Sequence, residues 1–419
     1  MKSLLAAACA LMATTALAAP KPDAALLKAA TAEAPALTET LKSLVEIESG
    51  SGDAAGLEGM ARLLEARFTA LGGSVSRVKP LPGTAGDILV ARWQGSGRGR
   101  VMLIAHMDTV YQKGALARAP FRLVDSKDGP LASGPGIADD KSGLAVILHT
   151  LPLLSARDYA ELTVVINTDE ERGSVGSGPI ITDLAKGQSA VLSFEPTSYP
   201  EVLVSGTSGT NTVTVTIRGK AAHAGGAPET GVNALVEAAH VISVTKDLDR
   251  GQGKRRFNWT VISQDRGVRN IIPDNVTLVG DLRTATMAEV DEFRSELLAR
   301  LKLPGVAGAQ VTAEVKVNRP PFDVTPASRA LIAQAQALYA GLGRSLPLAP
   351  RTGGGTDAGY AALAGVPVIE FLGLPGVGYH TTDAEYVFLS SVPRRLYLAA
   401  ALVRAVGRQR MMDGSDDDG

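Results

Sequence analysis

Four short apolar runs constrain the fold of this chain more than any other feature: residues 101–105, 162–167, 190–194 and 366–371. Side chains alternate between the two faces of a strand, so a run that is mostly apolar at both odd and even positions is buried on both, as in a parallel sheet. Helical periodicity fills the intervals, for instance over 142–154. It also precedes them, over 24–48 and over 57–71, where Gly72 and Gly73 end it. Strands alternating with helices predict an α/β domain with a doubly wound, mostly parallel sheet.

The middle of the chain has a different rhythm. Residues 211–218 alternate, with Val213, Val215 and Ile217 on one face of a half-buried strand. An amphipathic helix over 233–246, strands over 257–263 and 276–283, a helix over 287–303 and a strand over 310–317 follow. The order β-α-β-β-α-β is that of a ferredoxin-like α+β unit. Gly206-Thr207-Ser208-Gly209 and Arg319-Pro320-Pro321 flank it as hinges. A chain of 419 residues exceeds what one core ordinarily supports. The expected organisation is therefore a small domain at 209–320 inserted into a discontinuous larger one at 19–208 and 321–412.

The two ends read differently from both domains. Lys2 gives a positive start, residues 4–17 an apolar stretch too short to span a bilayer, and Ala16-Leu17-Ala18 a small-residue cleavage site. Residues 1–18 are thus the expected signal peptide, and the protein is expected to be periplasmic or secreted. Cys9 is the only cysteine, so the mature chain would have neither disulfides nor thiol chemistry. Residues 413–419 form an acidic tail with nothing to bury, expected to be disordered. With 42 Lys and Arg against 43 Asp and Glu, the net charge is −1. Neither nucleic acid nor an anionic membrane is expected as a partner, since both call for a basic surplus.

The chemistry gathers where the apolar runs end. The first leads into His106-Met107-Asp108, the second into Thr168-Asp169-Glu170-Glu171, and the third into Glu195-Pro196. The loop Gly134–Lys141, with Asp139 and Asp140, and Gly378-Tyr379-His380 add further polar groups. Ligand sites of open α/β sheets lie at the carboxyl ends of the strands. Each motif alone is weak, because a strand-end histidine is often a core residue and a Glu-Glu pair is usually a solvated turn. Several carboxylates converging on one edge would repel one another and lose hydration unless cations neutralised them. Imidazole with carboxylate is a donor set that zinc accepts, and this many donors suit two metals better than one.

These motifs, with Gly219-Lys220-Ala221-Ala222-His223, Asn270-Ile271-Ile272-Pro273 and Thr352-Gly353-Gly354-Gly355-Thr356-Asp357, resemble one metallopeptidase family. It is the family of glutamate carboxypeptidases, aminoacylases and succinyl-diaminopimelate desuccinylases, and the likeness is greatest to the bacterial folate-hydrolysing glutamate carboxypeptidases. The resemblance spans nearly the whole mature chain, in order. It implies a di-zinc exopeptidase that releases a C-terminal amino acid, glutamate by likeness, from a peptide or N-acyl amino acid with a free carboxylate. Cobalt or manganese could replace zinc. By the same resemblance Asp139 bridges the metals, His106 and Glu195 hold one, and Glu171 and His380 hold the other. Glu170 is the general base, Asp108 orients His106, and Asp140 is structural. His223 reaches across a homodimer to the oxyanion, and the inserted domain is a lid and dimerisation element. Asn270, Arg283, Arg319, Thr352, Gly354 and Gly355 contact substrate, the arginines because their forks suit a terminal carboxylate.

Two valines depart from the pattern. In Glu201-Val202-Leu203-Val204-Ser205, Val202 and Val204 stand where the folate-hydrolysing enzymes carry polar groups for the glutamate side chain. Glutamate preference is on that ground in doubt. The alternative enzyme is an N-acyl-amino-acid deacylase or desuccinylase. A solute-binding protein would share the hinged α/β outline but needs neither five metal-type donors nor the additional Glu170.

Overall fold

The computed structural model describes residues 21–251, 254–265, 267–381 and 385–408. The expected signal peptide at 1–18, with Cys9, and the tail at 413–419 lie outside the described residues.

Ten strands carry the central and the inserted sheet. In chain order they are β1 (Ser74–Val78), β2 (Ile88–Gln94), β3 (Arg100–His106), β4 (Glu161–Asn167), β5 (Ala190–Ser193), β6 (Gly209–Arg218), β7 (Arg256–Gln264), β8 (Asn275–Thr284), β9 (Gln310–Arg319) and β10 (Val368–Ile369). The central sheet has the order β1-β2-β4-β3-β5-β10. Its pairs β4·β3, β3·β5 and β5·β10 are parallel, whereas β1·β2 and β2·β4 are antiparallel. The sheet is therefore mixed and mostly parallel, and all four apolar runs lie in its parallel part. Every residue of β3 after Arg100 is buried, as are all four of β5, so both faces are covered. Helices Ala24–Val45, Ser142–Thr150 and Val392–Arg408 pack on one another, and the latter two on β3.

The antiparallel pair β1·β2 is not among the expected strands, although Ile88-Leu89-Val90-Ala91 of β2 is itself a buried apolar run. Strand β1 sits at the sheet edge and buries none of its residues fully, so its pattern is weak. Strand β10 is shorter than the run 366–371 suggests, because the chain turns at Phe371, whose φ is 71°. Its carbonyl is taken by Arg395 Nη2 at 2.9 Å.

The inserted sheet has the order β7-β8-β6-β9, antiparallel throughout, which is the split βαβ arrangement of a ferredoxin-like unit. Helices Ala234–Thr245 and Met287–Arg300 accompany it. Asn233 caps the first by accepting from the Leu235 and Val236 amides. Thr286 caps the second through the Glu289 amide, while the Glu289 carboxylate accepts from Ala285. Val213, Val215 and Ile217 of β6 are buried, whereas Thr210, Thr212 and Thr214 on the opposite face are only half-buried. That polar face continues on β8 as Asp281 and Arg283. Among the described residues no helix is long and apolar enough to cross a membrane.

Candidate metal centre and cleft

His106 closes β3, the Asp169–Glu171 turn follows β4, and Glu195 lies two residues past β5. Strand ends thus deliver three donors, and the loops carrying Asp139 and His380 deliver two more. Donor atoms of His106, Asp139 and Glu195 lie within 4.8 Å of one another, as do those of Asp139, Glu171 and His380. Asp139 is common to both groups. Its Oδ1 is 3.0 Å from His106 Nε2, and its Oδ2 is 3.2 Å from His380 Nε2. Glu195 Oε1 lies 3.7 Å from His106 Nε2, and Glu171 Oε2 3.3 Å from His380 Nε2.

Buried partners hold these donors. Asp108 stands beside His106 Nδ1, which lies 3.0 Å from its carbonyl and 3.3 Å from its Oδ1. The same carboxylate accepts the amides of Glu170 at 3.0 Å and Glu171 at 3.2 Å, and the Ser51 hydroxyl at 2.6 Å. Asp108 therefore aims the imidazole and the Glu-Glu turn together. Asp140, joined to Asp139 by a cis peptide, accepts the His106 and Gly143 amides. The Glu385 carboxylate accepts the amides of Ala138 and Asp139, both at 3.0 Å. Nothing in the sequence near 385 signals this contact, since the two segments meet only in the fold.

Glu170 is buried beside both groups. Arg319 Nη1 lies 2.6 Å from its Oε1, and the same guanidinium donates to the carbonyls of Glu170 and Gly355. Behind the turn, Asn167 Nδ2 donates to Asp357 Oδ2 at 2.8 Å and to Ser177 at 2.9 Å. Ser174 donates to Asp357, Ser177 to Asp169, and the Gly176 amide to Asp169 at 2.7 Å. Arg319 and Asp357, both distant in sequence, thus clamp one short turn together with its own flanks.

The electrostatics of the chain alone ask for cations. Burial, then repulsion from Asp139 and Glu170, pushes Glu195 well above the usual carboxylate range. Burial likewise pushes Glu170 up to about 8, with the Arg319 charge pulling the other way. Hydrogen bonding to Asp139 and then Glu171 raises His380 to about 10. Glu171 Oε1 is buried without a hydrogen-bond partner among the described residues. Carboxylates crowded and desolvated in this way, one with an unpaired buried oxygen, fit divalent cations held by oxygen and imidazole.

A cleft of about 860 Å³ opens over the donors. It is lined by Asp139, Glu170, Glu171, Glu195 and His380, by Arg283 and Arg319, and by Thr352, Gly354 and Gly355. Around Gly353 a Cβ atom would meet nothing within 4 Å, and around Gly354 only Thr352 Oγ1 at 3.9 Å, so the glycine loop leaves its backbone open. Arg172, Ser198, Asp281, Asn318, Phe371 and Tyr379 also line the cleft. Sequence reasoning assigned none of these six a role, although Tyr379 stands inside the Gly378-Tyr379-His380 motif and Phe371 ends an apolar run.

His223 and Asn270 are not brought to this cleft. They meet in the inserted domain, where Ala222–His223 pairs with Ile271–Ile272 and the Ala224 amide donates to the Asn270 carbonyl. Both residues are exposed. His223 Nδ1 accepts the amides of Gly225 at 3.2 Å and Gly226 at 2.9 Å, which leaves Nε2 to carry the proton. Val204 is buried in a short strand paired with Leu348–Ala349, and Val202 binds Thr197 Oγ1 with both backbone groups. Neither is among the residues that line the cleft.

The model of peptidase family M20/M25/M40 matches residues 102–405. The chain is 49% identical over 404 residues to carboxypeptidase G2 of Pseudomonas sp. (strain RS-16), with 96% of each chain covered. Among solved structures it is similar to aminopeptidase PepT from Bacillus cereus, with a TM-score of 0.72 and 23% identity over 89% of this chain and 98% of that one. It is also similar to an M20 family metallo-carboxypeptidase from Sulfolobus solfataricus, with a TM-score of 0.66 and 16% identity over 90% of this chain and 99% of the other. At such identities these two structures speak to the fold alone.

Proposed function

The chain belongs to peptidase family M20/M25/M40, and on that premise we propose that this hydrolytic metallocarboxypeptidase works with two zinc ions bridged by Asp139. The observation that carries the reading is the sharing of Asp139 by two donor groups. His106 and Glu195 would hold one ion, and Glu171 and His380 the other; cobalt or manganese suits the same donors. Ions bound there would supply Lewis acidity toward the scissile carbonyl and would acidify the attacking water.

The chain's own residues do the rest. The substrate is a peptide or N-acyl amino acid whose terminal carboxylate meets the guanidinium groups of Arg283 and Arg319, with Thr352 and the Gly354 and Gly355 backbone beside it. Asn270 would join from the inserted domain. As the water oxygen bonds to the amide carbon, Glu170 takes its proton; as the C–N bond breaks, Glu170 passes that proton to the leaving nitrogen. The Arg319 charge beside Glu170 favours the ionised form that a base needs. His223 of a partner copy, with the proton on Nε2, would donate to the developing oxyanion. The working enzyme is then a homodimer, exported to the periplasm by residues 1–18, with the inserted domain at 209–320 serving as lid and dimerisation surface.

Glu170→Gln tests the core of this reading. Turnover on N-acyl amino acids should fall roughly 10³-fold or more, the upper part of the range for a lost general base. Elemental analysis should still find two metals per chain. Near-normal turnover would remove Glu170 from the mechanism, and one metal per chain would remove the bridged pair.

A further inference from the structure

The inserted domain presents to the cleft a charge pair, Asp281 and Arg283, of which only the arginine has so far been given a role. Asp281 and Arg283 lie two residues apart on β8, so their side chains leave the same face of the strand. Both line the cleft. Their contact is side-on: Arg283 Nε donates to Asp281 Oδ1 at 2.8 Å, and Nη2 donates to Oδ2 at 2.9 Å.

A guanidinium offers two edges to a carboxylate, Nε with Nη2 and Nη1 with Nη2. Asp281 occupies the first. The second remains for a ligand. The remaining acids of the cleft, Asp139, Glu170, Glu171 and Glu195, belong to the larger domain, three of them in the candidate donor groups. An arginine freed from Asp281 has the rotamers to wander toward those acids, and ordering it again would cost affinity each time substrate binds.

We propose that Asp281 is a positioning residue, which locks Arg283 side-on so that its Nη1/Nη2 edge is presented to the terminal carboxylate of the substrate. This rests on the reading of Arg283 as a contact for that carboxylate. Asp281 itself touches no reacting atom. It acts on substrate binding through Arg283 and leaves the chemistry at the metal centre alone. Lysine at 283 would be a poor substitute, because an ammonium has no second edge to hold while the first is tethered.

The test is a double-mutant cycle on the metal-loaded, full-length enzyme with an N-acyl amino acid as substrate. Asp281→Ala should raise KM roughly fivefold or more, with kcat within about twofold, because only the ordering of one side chain is lost. Arg283→Gln should raise KM roughly tenfold or more, as loss of a charged hydrogen-bonding partner does. Asp281→Ala added to Arg283→Gln should change nothing further, and Asp281→Glu should recover part of the KM. A wild-type KM in Asp281→Ala, or an undiminished effect of that substitution in the Arg283→Gln background, would overturn the positioning role while leaving Arg283 a substrate contact. A wild-type KM in Arg283→Gln itself would remove the carboxylate reading, and the proposal with it.

Discussion

His106 and His223 are both offered to catalysis by the sequence, yet the fold treats them in opposite ways. His106 is 1% exposed, closes a central strand, and has both ring nitrogens engaged by its own chain, through Asp108 and Asp139. His223 stands on an exposed two-strand pair, with Nδ1 held by two glycine amides and Nε2 left open. The two candidate donor groups are complete within one chain and braced by buried carboxylates. His223 and Asn270 are exposed in the inserted domain and do not line the cleft of their own chain. The difference teaches that one part of the proposed site is made by folding, whereas the proposed role of the other needs a second copy of the chain.

The comparison can be broken first at His223. His223→Ala should lower kcat roughly 10²- to 10³-fold, the cost of one lost oxyanion donor. Metal content and dimerisation should be unchanged, and kinetics with elemental analysis and light scattering would check all three. Wild-type turnover would make the exposed histidine a surface residue and dissolve the contrast.

Asp108→Ala sharpens the other side. This carboxylate holds both the His106 imidazole, a proposed metal ligand, and the Glu170–Glu171 turn, so its loss should weaken metal affinity roughly 10- to 100-fold. Competition with a chromophoric chelator would measure it. Unchanged affinity would mean that packing alone fixes the donors.

The smallest effect concerns stability. Glu370, 1% exposed and accepting the Ser193 hydroxyl at 3.1 Å, belongs to the crowded acids of the larger domain. Burial pushes its carboxyl up to about 8 from an ordinary 4.5. A carboxyl raised in the folded state binds its proton more tightly there than in the unfolded chain. Its contribution to stability is full below about 4.5 and is lost as pH rises through about 8. Glu370→Gln should therefore gain on the wild type by about a few degrees in melting temperature as pH rises across that window. A gap that stays constant with pH would contradict the shift.

Much of this was legible in the sequence for a physical reason. A strand buried on both faces is mostly apolar, so β3, β4 and β5 announced themselves, and so did the donors at their ends. The alternation of β6 and β8 likewise exposed the ferredoxin-like unit. What stayed hidden depends on contacts between distant segments. Asp108 meets the Glu170 amide 62 residues away, Asn167 meets Asp357 across 190, and Glu385 meets the Asp139 amide across 246. That Val204 lies in a short buried strand beside Leu348–Ala349 was equally hidden, because that pairing joins segments far apart in the chain. The tether between Asp281 and Arg283 was also out of reach, since two half-exposed charges on a strand look like ordinary surface.

The most direct test is to build a dimer with the two defects on different chains. Chains carrying Glu170→Gln and His223→Ala, each with its own tag, would be co-expressed and the mixed dimers purified through both tags. In a two-fold dimer each site would take Glu170 from one chain and His223 from the other, so one of the two sites in each mixed dimer is whole. The account predicts about half the wild-type activity per mixed dimer, from two parents that are each nearly inactive. Mixed dimers as inactive as their parents would contradict it, and would place both residues in the same chain's site.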